Sequence, residues 1–390
     1  VPLPLSPSAI VRPTVAEAIR FWGKLGLISF GGPAGQISIM HRELVERRRW
    51  IDEPHFLHAL NFCMLLPGPE ATQLAIYIGW LLHGPWCGIA AGILFVLPAA
   101  LLLWGMSWLY AAFGTVPAVA ALFYGLKPAV AAVVAAALLR IGSRVLKTPA
   151  MATVAALAWG AIALAKVPFP AVVFGAAAAG FLGARYWPRQ FAVLKPADGT
   201  PEEAGQEGDA PVSAAPRSLL RHHVRVLSAG LAIWGAPLLA ALAWQGRGGV
   251  LFQQGLFFSK AALVTFGGAY AVLPYVAQKA VEQYGWLTAG QMLDGLGIAE
   301  TTPGPLIIVL EFVGFMGGWQ SPGGGLLPAT LGAAITLWAT FVPSFLFVLL
   351  GAPHVQRMRG NRRIAGALSA VTAAVVGVIL NLALWFGWHV

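Results

Sequence analysis

The 390 residues are 58% apolar and only 10% charged, with a mean hydropathy of +0.73. That composition excludes an ordinary soluble domain, in which about a quarter of residues are charged. A net charge of +10 would point a soluble chain toward nucleic acid, but here the arginines stand in short clusters between apolar segments, as they do in the cytoplasmic loops of polytopic membrane proteins.

In chain order, VPLPLSPSAI carries no charged n-region and is not read as a cleaved signal peptide. Residues 15–31 predict a helix ending at Phe30-Gly31-Gly32-Pro33, where Gly permits a turn and Pro33 suits the first turn of a new helix. That second helix, 33–50, begins apolar and ends in the charged RELVERRRW. A crossing needs about 20 apolar residues, so a re-entrant hairpin fits better than two full spans. Residues 54–66 and 69–82 repeat the design around Leu66-Pro67-Gly68-Pro69. Membrane spans are expected at 85–112, 117–145, 149–166 and 168–187. Residues 188–218, with Lys195, Asp198, Glu202, Glu203, Glu207 and Asp209 among Pro, Gly and Ala, read as a solvated linker. A span at 220–244 follows, then broken hairpins at 250–285 and 288–317, and spans at 327–351 and 364–387.

The stretch Phe21 to Pro69 recurs at Phe257 to Pro305 with one constant offset, no gap and fourteen identities. These include Lys24/Lys260, Phe30-Gly31-Gly32/Phe266-Gly267-Gly268, Trp50/Trp286 and Pro67-Gly68-Pro69/Pro303-Gly304-Pro305. Arg42, Arg47, Arg48 and Arg49 become Gln278, Gln283, Tyr284 and Gly285. In the next loop the asymmetry reverses: residues 113–117 are uncharged, whereas Arg357, Arg359, Arg362 and Arg363 stand in the matching loop. The positive-inside rule puts all the arginine clusters in the cytoplasm only if the two copies are inverted relative to each other. The expected fold is an all-α integral membrane protein of two inverted-topology repeats with broken, re-entrant helical hairpins. Its divisions are a first repeat over 1–147, added membrane helices over 148–187, a cytoplasmic linker over 188–218, a connecting helix over 219–248 and the second repeat over 249–390.

Paired, Gly/Pro-broken apolar segments point to a transporter binding site. A helix that begins at a hairpin tip aims unpaired N–H groups and its positive dipole end into the membrane. Four such starts, near Pro33, Pro69, Ala269 and Pro305, suit an anion. The candidate anion-binding residues are Lys24, Ser29, Gly31, Gly32, Pro33, Gly68, Pro69, Glu70, Thr72, Gln73, Lys260, Thr265, Gly267, Gly268, Tyr270, Thr301, Thr302, Gly304 and Pro305. The competing account is that the breaks only shape helix packing. Lys24 and Lys260 read either as cationic walls to the anion path or as snorkelling side chains. Glu70 reads either as a cap on the helix start or as a protonatable coupling group, a question that Glu300 and Glu311 share. Asp294 reads as a helix-end residue, and Lys127 and Asn381 as bridges between helices.

Cys63 and Cys87 lie in apolar surroundings and read as small buried side chains. The eight histidines are scattered, His55 and His58 share a helix face at an interface, and no metal-ligand spacing, catalytic constellation or Walker-A sequence is present. Neither a cofactor nor a metal is expected.

The segments SFGGPAGQ at 29–36, VERRRWI at 45–51, LLPGPEATQLAIYIGWLLHG at 65–84, TFGGAYAVLPYV at 265–276 and AETTPGPLIIVLEFVGF at 299–315 resemble the chromate ion transporter family in its long, two-domain form. The resemblance implies a multi-pass protein of the inner membrane that exports chromate, with sulfate as the structural analogue and resistance as the outcome. Glu311 departs from the glutamine expected there in similar proteins. The reading is a secondary transporter, not an enzyme and not a nucleic-acid binder, embedded in lipid and with a homodimer among its expected partners. An anion channel and a membrane-embedded enzyme are the rivals.

Overall fold

A computed structural model describes residues 12–114, 116–191, 216–353 and 362–389, and the regular structure among them is helical throughout. The first copy opens with α1 (Val15–Ile28), capped by Thr14 and Glu17 in a reciprocal box. After the Phe30-Gly31-Gly32 break come α2 (Gly32–His41), which loosens into a π turn at Arg42–Arg47, and α3 (Glu53–Leu65), capped by Asp52. Beyond the Pro67-Gly68-Pro69 break lie α4 (Glu70–His83), α5 (Pro85–Phe113) and α6 (Pro117–Val145). Four helices separate the copies: α7 (Pro149–Ala163), α8 (Phe169–Tyr186), the single-turn α9 (Pro188–Phe191) and α10 (Pro216–Gln245). The second copy runs through α11 (Val250–Val264), α12 (Ala269–Gln278) with its π turn at Lys279–Gln283, and α13 (Ala289–Thr301). It ends with α14 (Val309–Trp319), preceded by a 3-10 turn at Leu306–Ile308, then α15 (Leu326–Gly351) and α16 (Arg362–His389).

Six of these helices are long and apolar enough to cross a membrane, namely α5, α8 and α15, and parts of α6, α10 and α16. The expected span at 149–166 is shorter than anticipated: the 15 residues of α7 reach ~22 Å at 1.5 Å per residue. Of the expected linker, residues 192–215 fall outside the described residues, as do Arg357 and Arg359.

Each copy repeats the other down to single hydrogen bonds. Ser29 and Thr265 have φ, ψ of −81°, 80° and −80°, 83°. Their hydroxyls donate to Leu25 O and Ala261 O at 2.5 and 2.6 Å. Trp50 N–H donates to Leu44 O and Trp286 N–H to Ala280 O, both at 2.8 Å. Arg49 and Gly285 are both left-handed, at φ 54° and 61°. The packing repeats as well: α1 and α4 lie on α5, as α11 and α14 lie on α15, and across the copies α5 meets α14 while α15 meets α4.

The charge reversal is accommodated in one shared slot. Arg48 lies over the rings of Phe21 and Trp50, 5.1 Å from each centroid. Its counterpart Tyr284 packs on Phe257 at 5.4 Å and stacks on Trp286 at 4.3 Å. Guanidinium and phenol both sit well on aromatic faces, so the exchange alters charge without altering the packing. Next to Arg48, the Arg47 guanidinium donates to Glu43 at 2.6 Å and holds that carboxyl below its usual range.

Small residues let the arms approach closely. A Cβ on Gly314 of α14 would collide with Thr336 and with the Gly332 carbonyl of α15, whereas one on Gly105 of α5 would meet open space. Gly314→Val is therefore expected to destabilise by at least about 1–3 kcal/mol. Gly105→Val should stay within about 0.5 kcal/mol of the parent. Thermal unfolding of the detergent-purified protein, followed by tryptophan fluorescence, checks both.

Candidate functional site: crossed helix breaks

The two copies are joined at their breaks by a reciprocal pair of hydrogen bonds. Gly68 N–H, in the first Pro-Gly-Pro turn, donates to Thr265 O at the second Phe-Gly-Gly turn, at 2.7 Å. Gly304 N–H donates to Ser29 O at the first Phe-Gly-Gly turn, also at 2.7 Å. Residue i of one copy bonds residue j of the other and the reverse, the relation a two-fold axis generates. Both donor glycines have positive φ, 130° and 117°. A Cβ on Gly68 would meet Ser344 Oγ and Gln73, and one on Gly304 would strike Ala99 of α5.

Each bond thus sets two helix starts side by side, and none of the four has a side-chain cap. The N-cap positions are Gly31 for α2, Pro69 for α4, Gly268 for α12 and Pro305 for the turn leading into α14. In contrast, the helices that approach the Pro-Gly-Pro breaks from outside are capped at equivalent positions, by Asp52 and Thr288. The inner starts keep the unsatisfied N–H groups and the partial positive charge that attract an anion. Several buried polar atoms nearby also lack partners among the described residues, namely Gln36 Oε1, Thr72 Oγ1, Gln73 Oε1 and Ser344 Oγ.

The turn residues Gly31, Gly32, Pro33, Gly68, Pro69, Gly267, Gly268, Gly304 and Pro305 lie in or beside the crossed turns, with Glu70 across from Gly268. Most of the hydroxyls are engaged elsewhere. Ser29 and Thr265 donate to their own helices, as do Thr301, to Gly297 O at 3.0 Å, and Thr302, to Ala299 O at 3.1 Å. A hydroxyl has one proton to give, so Thr72 alone of these keeps its donor free. Gln73 donates to Pro67 O at 2.8 Å and ties the first turn to α4. Tyr270 donates to Glu300 Oε1 at 2.7 Å. Lys24 and Lys260 stand exposed on α1 and α11, unpaired among the described residues, which fits the snorkelling reading.

Asp294 is not a helix-end residue. It is buried in the middle of α13 and accepts from Tyr110 of α5 at 2.8 Å, while its other oxygen has no partner among the described residues. The T-x-x-Q capping box at Thr288 and Gln291 fixes where α13 starts and was the signal available for its position. Glu311 is buried on α14, and its Oε2 has no partner among the described residues. Ser344, from the Pro-containing α15, had no sequence signal beyond being polar in an apolar span. Cys63 and Cys87 are free and buried. His55 accompanies Asp52 at 2.6 Å on an exposed end. Among the described residues no three His, Cys, Asp or Glu side chains gather as metal ligands would.

The sequence profile of the family described as Chromate transporter matches residues 16–181 and 252–390, both copies included. A chromate transport protein of Pseudomonas aeruginosa is 35% identical over 364 residues, covering 91% of this chain and 77% of its own length. One from Cupriavidus metallidurans is 28% identical, with 94% and 81% covered. A probable chromate transport protein of Synechococcus elongatus is 27% identical, with 96% and 85% covered. No solved structure matches the chain.

Gly304→Ala is expected to lower the unfolding midpoint of the purified protein, since both the left-handed backbone and the Ala99 contact oppose a Cβ. Adding Ala99→Gly should restore part of the loss and leave the backbone share, about 1–2 kcal/mol. A double-mutant cycle on the unfolding midpoints measures the coupling.

Proposed function

The chain belongs to the chromate transporter family, and from that premise we propose that it moves chromate across the bacterial inner membrane by holding the dianion among the four uncapped helix starts. The observation that carries this reading is the reciprocal bond pair, Gly68 to Thr265 and Gly304 to Ser29, each bond setting a break of one copy against a break of the other. Each start is worth roughly half a positive charge, so four are of the order of the two negative charges on a tetrahedral dianion. Backbone N–H groups can approach its oxygens closely because the turns are built of Gly and Pro. Sulfate has the same shape and charge and is the expected competitor.

On this reading the two copies are inverted, their two-fold axis lying in the membrane plane. The support is the placement of Arg42, Arg47, Arg48 and Arg49 against Gln278, Gln283, Tyr284 and Gly285. Alternating access then follows from rocking one copy against the other about the crossed turns. Export is the favoured direction on energetic grounds. A negative-inside potential favours outward movement of a dianion by about 4.6 kcal/mol per 100 mV, at ~2.3 per charge. Proton exchange through Glu70, Glu300 or Glu311 adds a second driving force, and the burial of Glu311 without an ionic partner supports that role.

Proteoliposomes should show saturable uptake of radiolabelled chromate that sulfate inhibits and that exhibits counterflow. Flux that does not saturate and lacks counterflow would instead identify a channel, and flux equal to that of protein-free vesicles would refute transport. In a Glu70→Gln, Glu300→Gln, Glu311→Gln triple variant the dependence of flux on an imposed pH gradient should disappear. An unchanged dependence removes these carboxylates from the coupling.

A further inference from the structure

A cavity of about 370 Å³ lies away from the crossed turns, between the α7–α8 connection, the far end of α12 with its π turn, and α16. Its polar lining is Lys166, Gln278, Lys279, Glu282, Gln283 and Asn381. Neither ammonium group is neutralised by an ion pair among the described residues, and Lys279 Nζ donates to the uncharged Gln283 Oε1 at 2.7 Å. The equivalent turn of the first copy is different. There Glu43 stands at the position of Lys279 and takes up Arg47 at 2.6 Å and Arg48 at 3.6 Å. Two ammonium groups against the one carboxylate of Glu282 leave the cavity net positive, and the amides of Gln278 and Asn381 add N–H donors. Lys166 itself occupies a left-handed backbone, φ 52°, that L side chains rarely adopt. One wall is rigid, because Phe169 stacks on Tyr275 with centroids 5.4 Å apart.

We propose that this cavity is a second oxyanion site, a vestibule in which a tetrahedral dianion is held by Lys166 and Lys279 between bulk water and the crossed turns. Gln278 stands nine positions along the helix from Ala269, at the break, about 14 Å at 1.5 Å per residue. One ion cannot touch both places, so the two sites fill separately. The role as a vestibule rests on the chain being an oxyanion carrier, whereas the binding rests on the two lysines alone. A lipid phosphate shares the chemistry of a free dianion, and vesicles of different headgroup charge distinguish the two sources.

Equilibrium dialysis of the full chain in detergent against radiolabelled sulfate tests the binding. The wild type should bind two ions per chain, the weaker one lost on raising the salt, and Lys166→Gln/Lys279→Gln should bind one. Glu282→Gln should tighten the weaker site about threefold. In phosphatidylcholine proteoliposomes the double variant should raise half-saturating chromate about tenfold from one face only, with the maximal rate unchanged. Unchanged stoichiometry in the double variant, or an equal rise from both faces, overturns the proposal. So does an effect confined to phosphatidylglycerol vesicles, which would make a lipid phosphate the occupant. A wild type that shows no flux but still loses one sulfate in the variant sinks the carrier reading and supports this site.

Discussion

Hydrocarbon offers no water to a backbone N–H, and a polar group left unpaired there costs several kcal/mol. A helix interrupted in the membrane creates such groups at every break, and this chain has four breaks. Two of the most confined donors, Gly68 and Gly304, are satisfied by carbonyls of the opposite copy. Much of the architecture adjoins that exchange: it ties the two copies together, sets Ala99 and Ser344 against the glycines, and leaves the adjoining helix starts without side-chain caps. The position of the candidate site and the closure of the fold therefore share one contact.

Most of this was legible in the residues because the breaks have a chemistry that few side chains can supply. Gly31, Gly32, Gly267 and Gly268 are all left-handed, and a helix cannot pass through such a pair. The repeat, the broken helices and five of the seven expected spans at their anticipated lengths could be read for that reason, with α7 and the start of α10 as exceptions. Side-chain commitments could not be read. Whether Ser29 gives its proton to a ligand or to Leu25 O depends on a rotamer, and the sequence has no rotamers. Asp294 lies inside α13 and not at its end, because the capping box of Thr288 and Gln291 starts the helix five residues earlier than Asp294. Pairings such as Tyr110 with Asp294 join residues far apart in the chain, on helices whose contact no local pattern announces.

The comparison of the copies separates packing from charge. Arg48 and Tyr284 fill one aromatic slot equally well, so the slot selects shape and polarisable contact, not charge. The neighbouring pair is more telling. Gly285 takes its left-handed backbone at little cost, whereas Arg49 takes the same backbone at about 1–2 kcal/mol. Folding would favour glycine in both copies, and the arginine stands in the copy whose turn carries the arginine cluster. The same separation appears at the π turns, where Glu43 with its two arginines is matched by Lys279 with a glutamine.

The borrowed carbonyls also bear on how such a molecule could arise. A chain holding a single copy would carry one Pro-Gly-Pro amide with nothing to receive it, and one Phe-Gly-Gly carbonyl with nothing to accept. It could mature only by meeting another chain of its kind, each completing the other. Fusing two such halves into one gene product converts an encounter that depends on abundance into a built-in one, and frees each half to diverge wherever its mate does not touch it.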